Sequence, residues 1–129
     1  YLSGTVAAVR EAVLLRKPGI AVSQYKYRSQ PFDWSRASRL TAKVLSRLMA
    51  EETKPGQFWN VNLPHLQADD AVPALVECPP CTQPLPTEFK IEDNQFYYSG
   101  KYSDRRRDPG ADVDVCLSGN ISLCKIRLW

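Results

Sequence analysis

The placement of proline constrains this chain more than any other feature. Of its ten prolines, seven (Pro64, Pro73, Pro79, Pro80, Pro84, Pro86 and Pro109) fall from residue 64 onward. Each fixes φ and removes a backbone donor, so none of these positions suits the interior of a helix or a central strand. Residues 1–63 are therefore expected to hold part of a regular α/β core. Three stretches follow it: a proline-rich linker or crossover at 64–86, a β-hairpin arm at 87–111, and a short helix with a final strand at 112–129. Hydrophobic content of 43% and charged content of 24% suit a single ordinary globular domain.

Within the first part, Ser3-Gly4-Thr5 leads into helix formers, predicting a helix over residues 5–16 capped by Ser3 or Gly4 and stopped by Pro18-Gly19. Val6, Val9, Val13 and Leu14 are joined by Ala7, Ala8, Ala12 and Leu15, a face wide enough to predict a largely covered helix. Residues 19–23 form an apolar run that fits a central strand buried on both faces. A polar, aromatic loop containing Tyr25, Tyr27 and Arg28 comes next. Asp33 then caps a second helix reaching about Glu51. Its inward face is Trp34, Ala37, Leu40, Thr41, Val44, Leu45 and Leu48, while Arg36, Arg39, Lys43 and Arg47 fall on the opposite side and read as solvated charge. Lys54-Pro55-Gly56 turns the chain into a strand over 58–63. There Asn60 and Asn62 alternate with Val61 and Leu63, so one face packs on a helix and the other presents two amides. Helix and buried strand in close succession point to a layered α/β core.

The second half has a strand at 74–78 and two strands at 87–92 and 95–99 joined by Asp93-Asn94, residues that tolerate positive φ. Two strands alone are marginal in water, so Phe89, Ile91, Phe96 and Tyr98 are expected to pack on another part of the molecule or on a partner. Residues 105–110 form a basic turn. Asp112 is expected to cap a short helix ended by Gly119, and a last strand runs over 120–128. Apolar parity shifts there between Leu123 and Cys124, so either a bulge resets the pleat or the first half is buried on both faces.

A net charge of +3 with interleaved acids argues against a broad nucleic-acid surface and leaves small anions open. No apolar run approaches the ~20 residues of a membrane span, and no charged-then-apolar leader is present, so a cytoplasmic location with reduced thiols is expected. The start at Tyr1 without an initiator Met suggests a fragment. Cys78-Pro79-Pro80-Cys81 has the spacing of a zinc knuckle or a redox dithiol. Cys116 and Cys124 do not complete a ligand pattern, and the following prolines forbid the helix a redox pair would lead, so incidental or reversibly oxidised thiols are expected. His65 reads as a surface-loop histidine and Asp69-Asp70 as solvated charge. Ser3, Gly4 and Thr5 are either an ordinary helix cap or an anion seat, because the first-turn N–H groups carry partial positive charge and glycine allows close approach.

Six motifs in order bear a family resemblance: Ser3-Gly4-Thr5-Val6-Ala7-Ala8, Gly19-Ile20-Ala21-Val22-Ser23, Phe32-Asp33-Trp34, Thr41-Ala42-Lys43-Val44, Asn60-Val61-Asn62-Leu63-Pro64 and Asp112-Val113. Together they resemble the C-terminal half of the SurE-type survival-protein nucleotidases. The resemblance implies a three-layer α/β/α, Rossmann-like core with a hairpin arm and a C-terminal segment exchanged between subunits of a homodimer or homotetramer. It also implies a divalent-metal (Mg or Mn) phosphomonoesterase acting on nucleoside 5′- and 3′-monophosphates, with Ser3, Gly4 and Thr5 contacting the phosphate. The family's aspartate pair and other metal ligands belong to its N-terminal half, so this chain is expected to contribute no catalytic or metal-ligating residue. Asp69-Asp70 does not match that aspartate motif. Two departures from the pattern are Leu2, where an aromatic usually stands, and the Cys78–Cys81 motif.

Overall fold

A computed structural model describes residues 3–27, 30–67, 69–85, 88–100 and 102–129. Leu2, Arg28, Pro86 and Thr87, all used in the sequence reading, lie outside the described residues. Ser3 caps the first helix, α1 (Gly4–Leu14), by accepting a hydrogen bond from Val6 N–H at 3.4 Å. At its far end Lys17 N–H donates to Ala12 O and Arg16 N–H to Val13 O, the double closure of a Schellman motif. The residue in the left-handed position is Arg16, with φ of 59°, so the helix stops before Pro18 is reached. Gly19 then brings α1 close to the sheet, since a Cβ there would lie 2.6 Å from Val9 Cγ1. The expectation of a largely covered helix is corrected. Only Val13 is buried, and Leu15 is 76% exposed, because α1 meets the sheet along one narrow line.

The strands β1 (Ile20–Gln24), β2 (Gln57–Leu63), β3 (Leu75–Glu77) and β6 (Ile121–Arg127) form one sheet in the order β1-β2-β6-β3. β1 and β2 are parallel, β2 and β6 antiparallel, and β3 runs parallel to β6. Among the described residues β1 is thus an edge strand, not the doubly buried central strand its apolar run suggested. Only Ala21 of it is buried, and the central positions go to β2 and β6. The parity question in β6 resolves without a bulge. Its register against β2 is unbroken from Arg127 to Ser122, and Ile121, Ser122, Leu123 and Cys124 are all buried, so that half is covered on both faces.

The helix α2 (Trp34–Met49), capped by Asp33 through Arg36 N–H at 2.9 Å, lies on one face. Val44 and Leu48 pack there with Trp59, Val61, Leu63, Ile121 and Leu123, and each such side chain removed from water is worth roughly 1.5–3 kcal/mol. Helices α1 and α3 (Asp112–Leu117) contribute nothing to that cluster and pack against the sheet's other face, completing three layers. Trp34 departs from its expected inward role: it is 64% exposed and meets Phe32 edge-on, with Lys26 Nζ 5.8 Å from its ring. α3 begins one residue earlier than expected: Ala111 is its N-cap and Asp112, expected as the cap, is its first residue.

The remaining strands, β4 (Phe89–Glu92) and β5 (Gln95–Tyr98), make a separate antiparallel hairpin. Asp93 and Asn94 take φ of 49° and 60°, the paired positive values of a type I′ turn. Every residue of both strands is exposed.

Candidate functional site

Chain direction gathers the chemistry at one end of the sheet. α1 runs back against β1, so its first turn lies at the carboxyl end of β1. β2 ends beside it, and α3 ends where antiparallel β6 begins. The carboxyl ends of parallel strands are where open α/β sheets place ligands. Ser3, Gly4 and Thr5 stand here, all exposed, and a Cβ on Gly4 would meet nothing within 4 Å. The first-turn donors are thus open to a ligand, apart from Val6 N–H, which Ser3 Oγ satisfies.

At the same end, a cavity of about 330 Å³ is lined by Tyr25, Tyr27, His65, Ser103, Arg107, Cys116, Leu117 and Gly119. Tyr25 N–H donates to Leu63 O at 2.9 Å, which continues the β1–β2 pairing one step past the strand and fixes where the tyrosine leaves the sheet. Its ring lies 6.1 Å from that of Tyr102, and the Arg105 guanidinium sits 5.3 Å from the Tyr102 ring. Arg107 Nε pairs with Asp114 at 3.4 Å. His65 is half-buried and not the surface histidine that was expected. Its Nδ1 accepts from Tyr27 N–H at 3.3 Å, and its ring lies 5.9 Å from that of Phe32. The neutral ring's proton is then on Nε2, which is buried and has no partner among the described residues.

The loop carrying His65 is held from α2. Arg36 donates to the backbone carbonyls of Gln67, Asp70 (2.6 Å) and Ala71 (2.8 Å), so this guanidinium clamps residues 67–71 and is not part of a solvated stripe. A guanidinium's fixed fork of donors suits that task. Arg47 pairs with Glu51 and Glu77, each at 3.5 Å, and the remaining cations of the stripe, Arg39 and Lys43, are exposed. Of the two strand amides, Asn62 donates to Ser122 Oγ across the β2–β6 pair at 3.0 Å. Asn60 is buried, with its Oδ1 unpartnered among the described residues.

The four cysteines are Cys78, Cys81, Cys116 and Cys124. All four are free. Burial pushes the thiols of Cys116 and Cys124 up to about 12, with the Asp112 carboxylate adding to the shift, so neither offers a thiolate near neutrality. The Cys78–Cys81 loop is docked on α3: Asp112 N–H donates to Pro79 O at 3.0 Å, and the Asp112 carboxylate accepts Cys81 N–H at 2.7 Å.

The residues present do not fit a divalent-metal ligand set. Among the described residues no three His, Cys, Asp or Glu side chains converge. Several carboxylates are already committed to nearby backbone donors. Asp70 accepts Gln67 N–H, Asp108 accepts Thr82 N–H, and Asp112 accepts Cys81 N–H, each at 2.7 Å.

Helices on both faces of a mixed sheet define a layered α/β protein. Sequence comparison then gives the lineage: the chain belongs to the SurE family, whose "Survival protein SurE" profile matches residues 1–80. It is 52% identical over 128 residues to alr3139 of Nostoc sp., a protein provisionally named a 5′-nucleotidase, covering 99% of this chain and 57% of that one. It is 31% identical over 131 residues to the 5′/3′-nucleotidase SurE of Klebsiella pneumoniae, covering 98% and 50%. The crystal structure of the SurE protein from Aquifex aeolicus superposes with a TM-score of 0.74 at 17% identity, covering 98% of this chain and 52% of that one, and supports the fold. The chain spans about half the length of the curated relatives it matches. Among the described residues no helix is long and apolar enough to cross a membrane.

Sequence reasoning singled out the Ser-Gly-Thr turn but missed the cavity lined by Tyr25, Tyr27 and His65. Its residues come from four separate places in the chain. The one available signal was a pair of tyrosines placed directly after a strand's carboxyl end.

Proposed function

We propose that this chain is the phosphate-seating half of a cytoplasmic SurE-type 5′/3′-nucleotidase, a phosphomonoesterase of nucleoside monophosphates. The observation that carries the reading is the placement of Ser3, Gly4 and Thr5 as the exposed first turn of α1 at the carboxyl end of β1, in a chain of this family. Open N–H groups and the positive end of the helix favour a phosphate there, and the glycine admits its oxygens close to the backbone. A divalent metal, Mg or Mn, would supply Lewis-acid chemistry at the phosphoryl group, held by ligands outside the described residues. Since the described residues do not fit its ligand set, its ligands are assigned to an upstream half. This chain's part is to hold the phosphate. Phosphate release from AMP with manganese or magnesium tests this: turnover is expected only when the upstream half is supplied, and metal-dependent turnover by the 129 residues alone would refute it.

A second reading, a non-catalytic assembly module, is favoured by one observation, the fully exposed β4–β5 hairpin. Its apolar side chains suit a homodimer or homotetramer in which arms, and with them the 112–129 segment, are exchanged between subunits. Light scattering decides the matter: a particle of two or four chains is expected, and a monomer at micromolar concentration would count against any exchanged assembly.

A further inference from the structure

We infer that Cys78 and Cys124 form a redox staple, a reversible disulfide across the β3–β6 pair that ties a three-residue strand and the loop after it to the centre of the sheet. The staple does not depend on the phosphate seat. Register, shared face and access support it.

The parallel pairing of β3 with β6 runs from Leu75 opposite Ile121 to Glu77 opposite Leu123. Cys78 N–H then donates to Leu123 O at 3.1 Å, the bond a parallel ladder makes when Cys78 stands opposite Cys124. Neighbouring strands lie ~4.8 Å apart, and disulfides span Cα separations of about 4.4–6.8 Å, so the two cysteines meet the distance requirement by their places in the sheet. Cys81 does not. Pro79-Pro80 favours extended chain, and three residues at ~3.1 Å each carry the Cys81 Cα roughly 9 Å from that of Cys78. The Asp112 carboxylate, accepting Cys81 N–H at 2.7 Å, holds it on α3.

Both side chains fall on one face. Leu75 packs with the α2-side core and Glu77 pairs with Arg47 of α2, so alternation turns Cys78 to the opposite face. On β6, Leu123 belongs to the α2-side core, which turns Cys124 to that same opposite face, under α3. Across the β2–β6 pair Cys124 stands opposite Asn60, whose Oδ1 is unpartnered among the described residues and so does not hold the thiol. Burial, then the Asp112 carboxylate, then charge on Cys78 push the Cys124 thiol up to about 12, which places each sulfur within reach of the other's charge.

Access sets the order of events. Cys78 is half-buried at the end of β3, an edge strand among the described residues, whereas Cys124 is 0% exposed. A small disulfide such as oxidised glutathione therefore meets Cys78 first. The Cys78 thiolate attacks one sulfur of the reagent, and the other half leaves as a thiolate. The Cys124 thiolate then attacks Cys78 Sγ, forming the internal bond and releasing the second glutathione. Two protein thiols give up two protons and two electrons, and the reagent is reduced to two thiols. Burial raises both Cys78 and Cys124, so thiolate is scarce near neutrality and the bond forms faster as pH rises. Once made, it closes a loop containing the hairpin arm and α3, and it anchors a strand that is otherwise held by a short ladder.

Exposing the reduced full chain to oxidised glutathione at about pH 6.5 and about pH 8.5, then alkylating and mapping its thiols, tests the staple. Two of the four free thiols are expected to be lost, with one peptide pair joining Cys78 to Cys124, about a hundredfold faster at the higher pH. Dithiothreitol should restore all four. Exchange protection of the Cys78 amide should rise about tenfold on oxidation. Cys78→Ser and Cys124→Ser should each abolish the bond, while Cys81→Ser and Cys116→Ser leave it. The map is read on the wild-type chain, so it decides the matter even where a serine variant fails to fold. A bridge to Cys81 or Cys116, a glutathione adduct that stays on Cys78, or four thiols still free after prolonged exposure would overturn the staple. A Cys78–Cys124 bond within one chain would support it, and the same bond joining two chains would support it together with an exchanged 112–129 segment.

Discussion

The four-stranded sheet and the β4–β5 hairpin are both built from short strands, yet they are held together differently. In the sheet, β2 and β6 lie at the centre with Phe58, Trp59, Val61, Ile121 and Leu123 all but removed from water. In the hairpin, Phe89, Ile91 and Phe96 are 57%, 66% and 74% exposed, and the strands are held by their own ladder, a type I′ turn and the Phe89–Tyr98 ring pair at 5.7 Å. The contrast shows what each element depends on. The sheet depends on contacts distant in sequence, whereas the hairpin has its geometry from local residues and lacks the burial that would make it independently stable.

The largest expected effect separates the two regions outright. Leu123→Ala removes a fully buried side chain from the α2-side core and should cost about 2–5 kcal/mol in urea unfolding, whereas Phe96→Ala should stay within about 0.5 kcal/mol. A comparable loss for Phe96→Ala would mean that the arm is covered in solution, and its dependence on protein concentration would show by what.

Next in size is the turn that seals the sheet's other end. Gly56 has φ of +80°, and a Cβ there would lie 2.6 Å from the Trp129 ring. Gly56→Ala should destabilise by about 1–2 kcal/mol, with part of the loss recovered when Trp129→Ala is added. No recovery would leave the backbone angle as the whole cause.

A smaller effect tests local against distant control within the core itself. α1 and α3 end in the same Schellman closure, α3 with Gly119 at φ of 88° and α1 with Arg16 at φ of 59°. A side chain in that conformation is strained by about 1 kcal/mol or more, so Arg16→Gly should stabilise the fold by roughly 0.5–1 kcal/mol in the same assay. A destabilisation would show that the Arg16 side chain contributes a contact of its own.

The most local effect concerns acid. Gln83 Nε2, Thr82 N–H and the Thr82 hydroxyl all donate to Asp108 and hold its carboxyl down to about 2, below the ordinary 3.8. A carboxyl with a lowered folded-state pKa stabilises above its ordinary value and loses that contribution as pH falls toward 2. The protection factor of the Thr82 amide, which removes the intrinsic pH dependence of exchange, is therefore expected to hold down to about pH 4 and to fall below it. Asp108→Asn should remove the pH step, and an unchanged step in that variant would contradict the assignment.

Local signals in the residues predicted the hairpin turn, the Asp33 cap, the stop at Gly119 and the approximate span of nearly every element, because each depends on a few neighbours along the chain. The Ser3-Gly4-Thr5 turn was legible for the same reason. Sequence left strand order open, and a short apolar run such as 19–23 looks the same whether it is central or at an edge. The side of α2 on which Arg36 falls was legible, but not that a loop thirty residues later would fold over it. His65 was read as a surface residue because nothing beside it in sequence reveals Tyr27 and Phe32.

What the residues determined by themselves, then, are the elements, their caps and turns, and the Ser3-capped start of α1. The tertiary structure alone decided that β6 inserts between β2 and β3, that α1 lies half uncovered, and that Tyr25, Tyr27, His65, Ser103 and Arg107 surround one cavity. The physical reason is range. Caps and turns follow from steric and hydrogen-bonding preferences acting over a few residues. A sheet's order and a cavity's walls follow from burying apolar surface that becomes contiguous only after distant segments have met.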